Sequence, residues 1–519
     1  MKRRNFVKNL SLSSLTVPFM FKDFHYEGIA KQLFKYSKSA DNKVLVIIRL
    51  NGGNDGLNTL IPRDQYENLV LQRQNILLPE SAILPLTAAT GLHSAMTGMA
   101  NLFQDGKLSV IQNVGYPEQN RSHFRSMDIW TSGMLSPTAT TGWMGRKLDN
   151  QFPDFPAAYP STANPDPFAI SMGYEVSATC QGLMGNFSTA LNDPFETVDL
   201  EESAQLNDGT YYGSHMEYLS TLISQTNAYA DQVNAAANAG NTLSQLYDAE
   251  NPLAVQLRYV AQMISGGLQT KVYVLNVNGF DTHDSQVANN NVQLGNHAEL
   301  LKTLSDAIAA FQDDLNLLQI DSRVAGMTFS EFGRQVASNA SFGTDHGDAA
   351  PLFLFGSCIE SSILGPNPVI PDEIQDQEGV PMQIDFRDVY ASILKDWFEV
   401  AESEVQAMFE HEVVFYDLLG ACTLGIDEFG KPIRSTTLVY PNPCGSKATL
   451  KLDAKDEWVK IDIYDLQGRH MQAIYDGTLS PDTHHIPLEL GDYAVGNYRV
   501  VIQKASGNES IQFLRVRSN

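Results

Sequence analysis

The stretch Val44-Leu-Val-Ile-Ile-Arg-Leu-Asn-Gly-Gly-Asn-Asp-Gly-Leu-Asn-Thr59 decides how this chain is read. Its first part, Val44 to Ile48, is an unbroken apolar run rich in β-branched residues, the pattern of a buried strand. The run ends in Gly52-Gly53-Asn54-Asp55-Gly56, a cluster of turn formers. In an open parallel sheet, ligands sit just beyond the carboxyl ends of the strands. Asp55, flanked by glycines that let backbone and ligand approach closely, is placed there to hold a metal. Equally, Asn-Asp-Gly makes a tight turn after a core strand, and the local sequence leaves both readings open.

Strand-like and helix-like segments alternate from Lys43 onwards. Leu108–Gln112, Thr270–Val277, Arg323–Phe329 and Leu352–Phe355 read as strands. Ser122–Ser132, Tyr211–Ala239, Pro252–Ile264, His297–Leu318 and Phe386–Phe398 read as helices. The fourth of these puts Leu300, Leu301, Leu304, Ile308, Phe311 and Leu315 on one face. Residues 151–207 are rich in Pro, Asn, Ser and Gly, so loops and small irregular strands are predicted there. The alternation predicts an α/β core over residues 41–424, with a mostly parallel sheet flanked by helices. A polar, turn-rich linker over 425–436 follows. Short alternating runs over 437–519 (Thr437–Tyr440, Lys447–Leu452, Val459–Asp465, Tyr498–Gln503, Ser510–Val516) predict a small all-β sandwich.

Composition bounds the function. With 519 residues the chain can hold one large domain and a smaller one. Its hydrophobic fraction of 43% is that of a globular protein. The net charge of −25 argues against a nucleic-acid surface, which needs a basic patch. An anionic substrate would therefore need local positive charge or metal. Cys180, Cys358, Cys422 and Cys444 are scattered without C-x-x-C spacing, so they form no zinc motif, and their pairing is not readable. No run is long and apolar enough to span a membrane. Residues 1–40 read as an export signal and spacer: Met1-Lys-Arg-Arg-Asn-Phe-Val-Lys8 is basic and a modest apolar run follows. Arg3-Arg4-x-Phe6-Val7-Lys8 resembles a twin-arginine signal; a basic amphipathic helix is the other reading.

Three later stretches also place acids and histidines after predicted strands. Asn278-Gly-Phe-Asp-Thr-His-Asp284 sets Asp281 and His283 two apart, so both point to one centre if the backbone is extended. A carboxylate with an imidazole suits zinc, manganese or iron. Alternatively the two simply pair with each other. Ser330-Glu-Phe-Gly-Arg334 offers Glu331 as a ligand or general base and Arg334 as a bidentate anion holder, or the two as a salt bridge. Gly343-Thr-Asp-His-Gly-Asp348 sets Asp345 beside His346 in a glycine-boxed loop that lets neighbours converge. In Tyr116-Pro-Glu-Gln-Asn-Arg-Ser-His-Phe-Arg-Ser126, Ser122 stands at a helix amino terminus with Arg121, His123 and Arg125 close by. It is a nucleophile candidate there, or merely the N-cap. The chain has no P-loop, G-x-G-x-x-G, G-x-S-x-G elbow or H-E-x-x-H pattern.

The core resembles the family called domain of unknown function 1501, placed in the alkaline phosphatase and sulfatase superfamily. The carrying residues are Gly52-Gly-Asn-Asp-Gly-Leu-Asn58, Arg121-Ser-His-Phe124, Gly279-Phe-Asp-Thr-His283, Ser330-Glu-Phe-Gly-Arg334 and Thr344-Asp-His-Gly347. The resemblance implies an alkaline phosphatase-like fold and metal-dependent hydrolysis of phosphate or sulfate esters, with one or two divalent ions such as zinc, manganese or calcium. Asp55 would match the first-strand aspartate ligand, Asp345-His346 the Asp-His ligand pair, and Asp281/His283 the other pair, although that pair is usually spaced by three residues. The final histidine ligand would be His297 or His411. Ser122, His123, Glu331 and Arg334 would be catalytic, with Arg121 or Arg125 as further cations. No Cys-x-Pro-x-Arg signature surrounds Ser122, which disfavours a formylglycine sulfatase. The alternative is a catalytically inactive surface protein that binds glycans or anions in the same cleft.

The tail resembles the carboxyl-terminal sorting domain of the type IX (Por) secretion system. Val439-Tyr-Pro-Asn-Pro443, Ile461-Asp-Ile-Tyr-Asp-Leu-Gln-Gly468 and Gly496-Asn-Tyr-Arg-Val-Val501 carry that resemblance. It implies cargo of Bacteroidetes-type bacteria, passing through the periplasm to the cell surface or beyond, with the secretion machinery as partner.

Overall fold

The computed structural model describes residues 42–196, 209–419, 438–440 and, with short gaps, 444–516. The expected export signal and linker lie outside the described residues. The chain divides into two compact units, with the boundary between residues 422 and 423.

The first unit is built on a nine-stranded sheet. Its strands in chain order are β1 (Val44–Asn51), β2 (Leu108–Gly115), β3 (Ala169–Met172), β4 (Ser188–Leu191), β5 (Val272–Asn278), β6 (Val324–Phe329), β7 (Ala350–Phe355), β8 (Ile363–Leu364) and β9 (Ile384–Asp385). The spatial order is β8-β2-β7-β6-β1-β5-β3-β4, with β9 also pairing β2. β1 lies between β5 and β6 and is parallel to both, which explains its unbroken apolar run. Only β7 runs against its two neighbours, so the sheet is mostly parallel but mixed. Two of its strands, β3 and β4, come from the region predicted as loops and small irregular strands. At four residues each they are too short to carry a periodic signal.

Helices cover both faces. Val44, Val46, Ile48 and Leu50 of β1 pack against α2 (Thr97–Gln104), α6 (Pro252–Ser265), α7 (Asn296–Leu317) and the end of α5 (Tyr211–Ala239). Leu45 and Ile47 face the other way, towards α3 (His123–Ser132), α4 (Trp143–Gln151) and α8 (Phe386–Asp396). A further helix, α1 (Tyr66–Arg73), lies in the segment that follows β1. Because β2, β6 and β1 run in the same direction, the residues after β1, β2, β5 and β6 and those before β7 all gather at one edge of the sheet. Cys358 is disulfide-bonded, while Cys180 is free and buried.

The second unit consists of two small antiparallel sheets. The strands Leu438–Tyr440, Lys447–Asp453 and Thr483–Glu489 form one; His470–Leu479, Glu457–Asp465, Gly496–Lys504 and Gly507–Arg515 form the other. Leu450, Leu452, Val459, Ile461, Val500 and Ile502 fill the space between them.

Candidate metal centre

The carboxyl edge of the sheet is held in shape by one buried guanidinium. Arg334, only 1% exposed, follows β6. Its Nε donates to the Gly53 carbonyl at 2.7 Å and its Nη1 to that of Thr344 at 2.9 Å. Its Nη2 donates to the Phe280 carbonyl at 2.9 Å and to Asp281 Oδ1 at 2.6 Å. A buried cation is tolerated only when its donors are satisfied. Here that requirement ties together the loops after β1, β5 and β6. The same loops touch at Gly52, whose φ is +124° and whose missing Cβ would lie 2.2 Å from the Asp281 amide nitrogen. After Arg334 the chain loops out and returns. Gln335 N donates to the Asp345 carbonyl and Gly347 N to that of Gly333, which sets His346 beside Arg334.

Three imidazoles and one carboxylate converge on this scaffold. The donor atoms of His123, Asp281 and His346 all lie within 4.8 Å of one another. His346 Nε2 is 3.1 Å and His123 Nε2 3.5 Å from the Asp281 carboxylate. His283 joins them, its Nε2 3.1 Å from Asp281 Oδ1 and 3.0 Å from His346 Nε2. Each ring is anchored through its other nitrogen. His346 Nδ1 donates to the Arg121 carbonyl at 2.9 Å, His283 Nδ1 to Asp345 Oδ1 at 2.7 Å, and His123 Nδ1 to Glu331 Oε1 at 2.8 Å. Phe332, buried beneath, packs against both His123 and His346.

These anchors decide the tautomers. A carbonyl or carboxylate oxygen only accepts, so each Nδ1 carries the proton and each neutral ring turns an Nε2 lone pair to the centre. A histidine ligand of a metal is oriented in this way, by an oxygen behind it. Burial lowers the His346 pKa; the neighbouring Asp281 carboxylate and the Arg121 carbonyl act the other way, but the net shift favours the neutral ring. Burial raises the Asp281 carboxyl, but the Arg334 hydrogen bond and charge, with His346 and His283 close by, outweigh it and hold the group ionised below its usual range. Nitrogen and carboxylate donors of this kind fit zinc, manganese or iron better than calcium, which takes oxygen donors.

The other residues singled out in the sequence have different places. Asp55, 1% exposed, receives Arg73 Nη1 on both oxygens at 2.9 Å and Gln286 Nε2 at 2.6 Å. The cation beside it is the chain's own. Asp345 supports His283, and Glu331 supports His123 while accepting from Gly52 N at 2.9 Å. The Arg334 guanidinium donates to the loops and to Asp281. Arg121 makes a two-toothed pair with Asp348, and Arg125 Nη2 donates to the Leu135 carbonyl. Ser122 is exposed and caps no backbone amide of α3. His297 is buried and bonded to Asn54, and His411 is bonded to Asp388 of α8. The sequence reading missed His123 as a partner of Asp281, because that pairing depends on how β2 and β5 lie in the sheet.

The core is thus an α/β domain with a surface His–Asp cluster at the carboxyl edge of its sheet. The chain belongs to the family described as "Protein of unknown function (DUF1501)", whose model matches residues 42–409. Residues 438–515 match the secretion system C-terminal sorting domain, which marks the protein for export to the cell surface or outside. Among the described residues no helix is long and apolar enough to cross a membrane. No curated protein matches the chain. Solved structures to which it is similar include members of the alkaline phosphatase and sulfatase superfamily. One is a protein of that superfamily from Vibrio parahaemolyticus, at 10% identity over 87% of this chain and 83% of that one, with TM-score 0.32. Another is the PsFucS1 sulfatase from Pseudoalteromonas sp., at 9% identity over 89% and 86%, with TM-score 0.30. PorZ, a surface component of the type IX secretion system of Porphyromonas gingivalis, matches at 21% identity over 20% of this chain and 14% of its own length, with TM-score 0.13.

Proposed function

We propose that this chain is an exported, metal-dependent hydrolase of phosphate or sulfate esters. The convergence of His123, His283 and His346 on Asp281, with every Nδ1 held from behind, carries that reading. His123, Asp281 and His346 would hold the metal, with His283 beside Asp281 and His346 as a further donor. A divalent ion there would polarise the ester and favour ionisation of the attacking hydroxyl. The chain's own contribution is orientation: Arg334 fixes Asp281, Asp345 fixes His283, and Glu331 fixes His123. The attacking hydroxyl belongs to Ser122, beside His123, or to water, and hydrolysis by Ser122→Ala decides between them. Secretion through the type IX machinery would place this chemistry at the cell surface.

The first experiment is elemental mass spectrometry of the purified full chain, wild type beside His346→Ala. Near-stoichiometric zinc, manganese or iron that is lost in the variant, followed by turnover of aryl phosphates or sulfates, supports the reading. Absence of metal after reconstitution sinks it. One observation favours a second reading, a surface protein that binds glycans or anions without turnover. Asp55, the match for the superfamily's first-strand ligand, is occupied by Arg73. Metal without turnover on any ester would select it.

A further inference from the structure

Hydrolysis of an anionic ester needs a cation for the transferring group. Arg334, Arg121 and Arg125 donate to oxygens of the chain, and Arg73 is closed on Asp55. Arg49 differs. It interrupts the apolar run of β1 and continues the face of Leu45 and Ile47, opposite Asn276 of β5 and Phe329 of β6. A charge on a central strand is costly unless something answers it. Yet the Arg49 guanidinium makes no hydrogen bond to any described residue, and its Nε is shielded from solvent without a partner. Two further shielded atoms without partners lie at the same edge: Asn51 Oδ1, two residues on and on the same face, and Glu331 Oε2. Glu331, Tyr390 and Glu175 lie within electrostatic reach of Arg49, and Glu331 holds His123 through its other oxygen.

We propose that Arg49 is the anion-recognition residue of this cleft, its guanidinium taking a phosphate or sulfate group of the substrate beside the His–Asp cluster. This rests on the ester-hydrolase reading. A guanidinium with free donors offers the planar fork that grips two oxygens of such a group.

The test is calorimetric titration of inorganic phosphate, and separately sulfate, into the full chain. Wild type, Arg49→Ala, Arg49→Lys and Asn51→Asp are compared with and without divalent metal. Arg49→Ala is expected to weaken oxyanion binding by about ten- to hundredfold, the worth of a charge-assisted pair, with metal stoichiometry unchanged. Arg49→Lys recovers part of the loss, because the charge remains without the fork. Asn51→Asp keeps Arg49 but sets a carboxylate beside it, and lowers affinity equally; this guards against an Arg49 variant that fails to fold. Equal affinity in wild type and Arg49→Ala, or no oxyanion binding by wild type, overturns the proposal. A protein that holds no metal but binds oxyanion through Arg49 keeps the site and removes the hydrolase.

Discussion

His283 and His346 face each other nitrogen to nitrogen, with Nε2 atoms 3.0 Å apart. Both Nδ1 atoms already donate to oxygens, so no proton remains for that gap while both rings are neutral. Either one ring is an imidazolium or a cation lies against both lone pairs. Asp281, 3.1 Å from each ring, would accept the imidazolium proton in the first arrangement and complete a ligand set in the second.

Asp345 makes this testable without touching a ligand. It holds the His283 proton, and its own side chain is half exposed. Asp345→Ala should lower metal affinity about 10- to 100-fold, the usual effect of removing the oxygen behind a histidine ligand. The thermal midpoint of the metal-free protein should stay put. Chelator competition gives the first number and calorimetry the second; unchanged affinity would remove Asp345 from the site.

Gly52 tests the scaffold. At φ +124° an alanine is strained, and its Cβ would meet the Asp281 amide at 2.2 Å, where backbone cannot swing aside. Gly52→Ala should push the loops after β1 and β5 apart and cost about 1–3 kcal/mol from the backbone conformation alone. Metal affinity should fall with it, because Arg334 spans the same two loops. Denaturant unfolding together with metal titration reads both, and retention of both would mean the loops are not jointly fixed.

Acid should unfold the core through two buried histidines. Burial is the main cause that brings His297 down to about 3 and His93 to about 4, against an ordinary value near 6.5. Geometry agrees: His93 Nδ1 accepts from Ala95 N and so must keep its lone pair. In the window from 6.5 down to those values the unfolded chain takes up protons that the folded one refuses. Stability therefore falls as pH falls, by up to about 1.4 kcal/mol per pH unit for each group. Metal-free protein unfolded in urea at pH 7 and pH 5 should show this, and His93→Gln should remove its share of the slope. A slope that is the same in the variant would assign the acid lability elsewhere.

Much of the fold could be read in the sequence because its central strands are buried on both faces. Val44–Asn51 and Val324–Phe329 leave an apolar run that needs no partner to be recognised. The strand His470–Leu479 is not legible for the opposite reason: Leu479 is its one buried residue, so burial imposes little alternation on it. Residue types at the candidate site were legible, since Asp281, His283, Asp345 and His346 stand in glycine-led loops. Their roles were not. Arg334 looks like an anion holder in sequence, and only the three loops closing over it turn it into a tie. Arg49 carried a signal that went unused, a charge inside a buried strand.

Asp55 shows the same limit most sharply. After a core strand, between glycines, it has the sequence setting of a ligand, yet Arg73 holds both its oxygens, with both side chains out of solvent. Burial raises the Asp55 carboxyl, and the Arg73 charge and bonds more than reverse this, so it stays ionised. Arg73 also donates to the Val336 carbonyl, which joins α1 to the loop after β6. Arg73→Met should leave a buried carboxylate without its cation and destabilise the core by about 3–5 kcal/mol. Asp55→Asn in the same chain should return part of that, since the stranded charge is then gone. Metal content separates the two roles of Asp55. If it is structural, Asp55→Asn alone keeps near-stoichiometric metal while its denaturation midpoint falls; if it is a ligand, metal is lost at a stability still sufficient to fold.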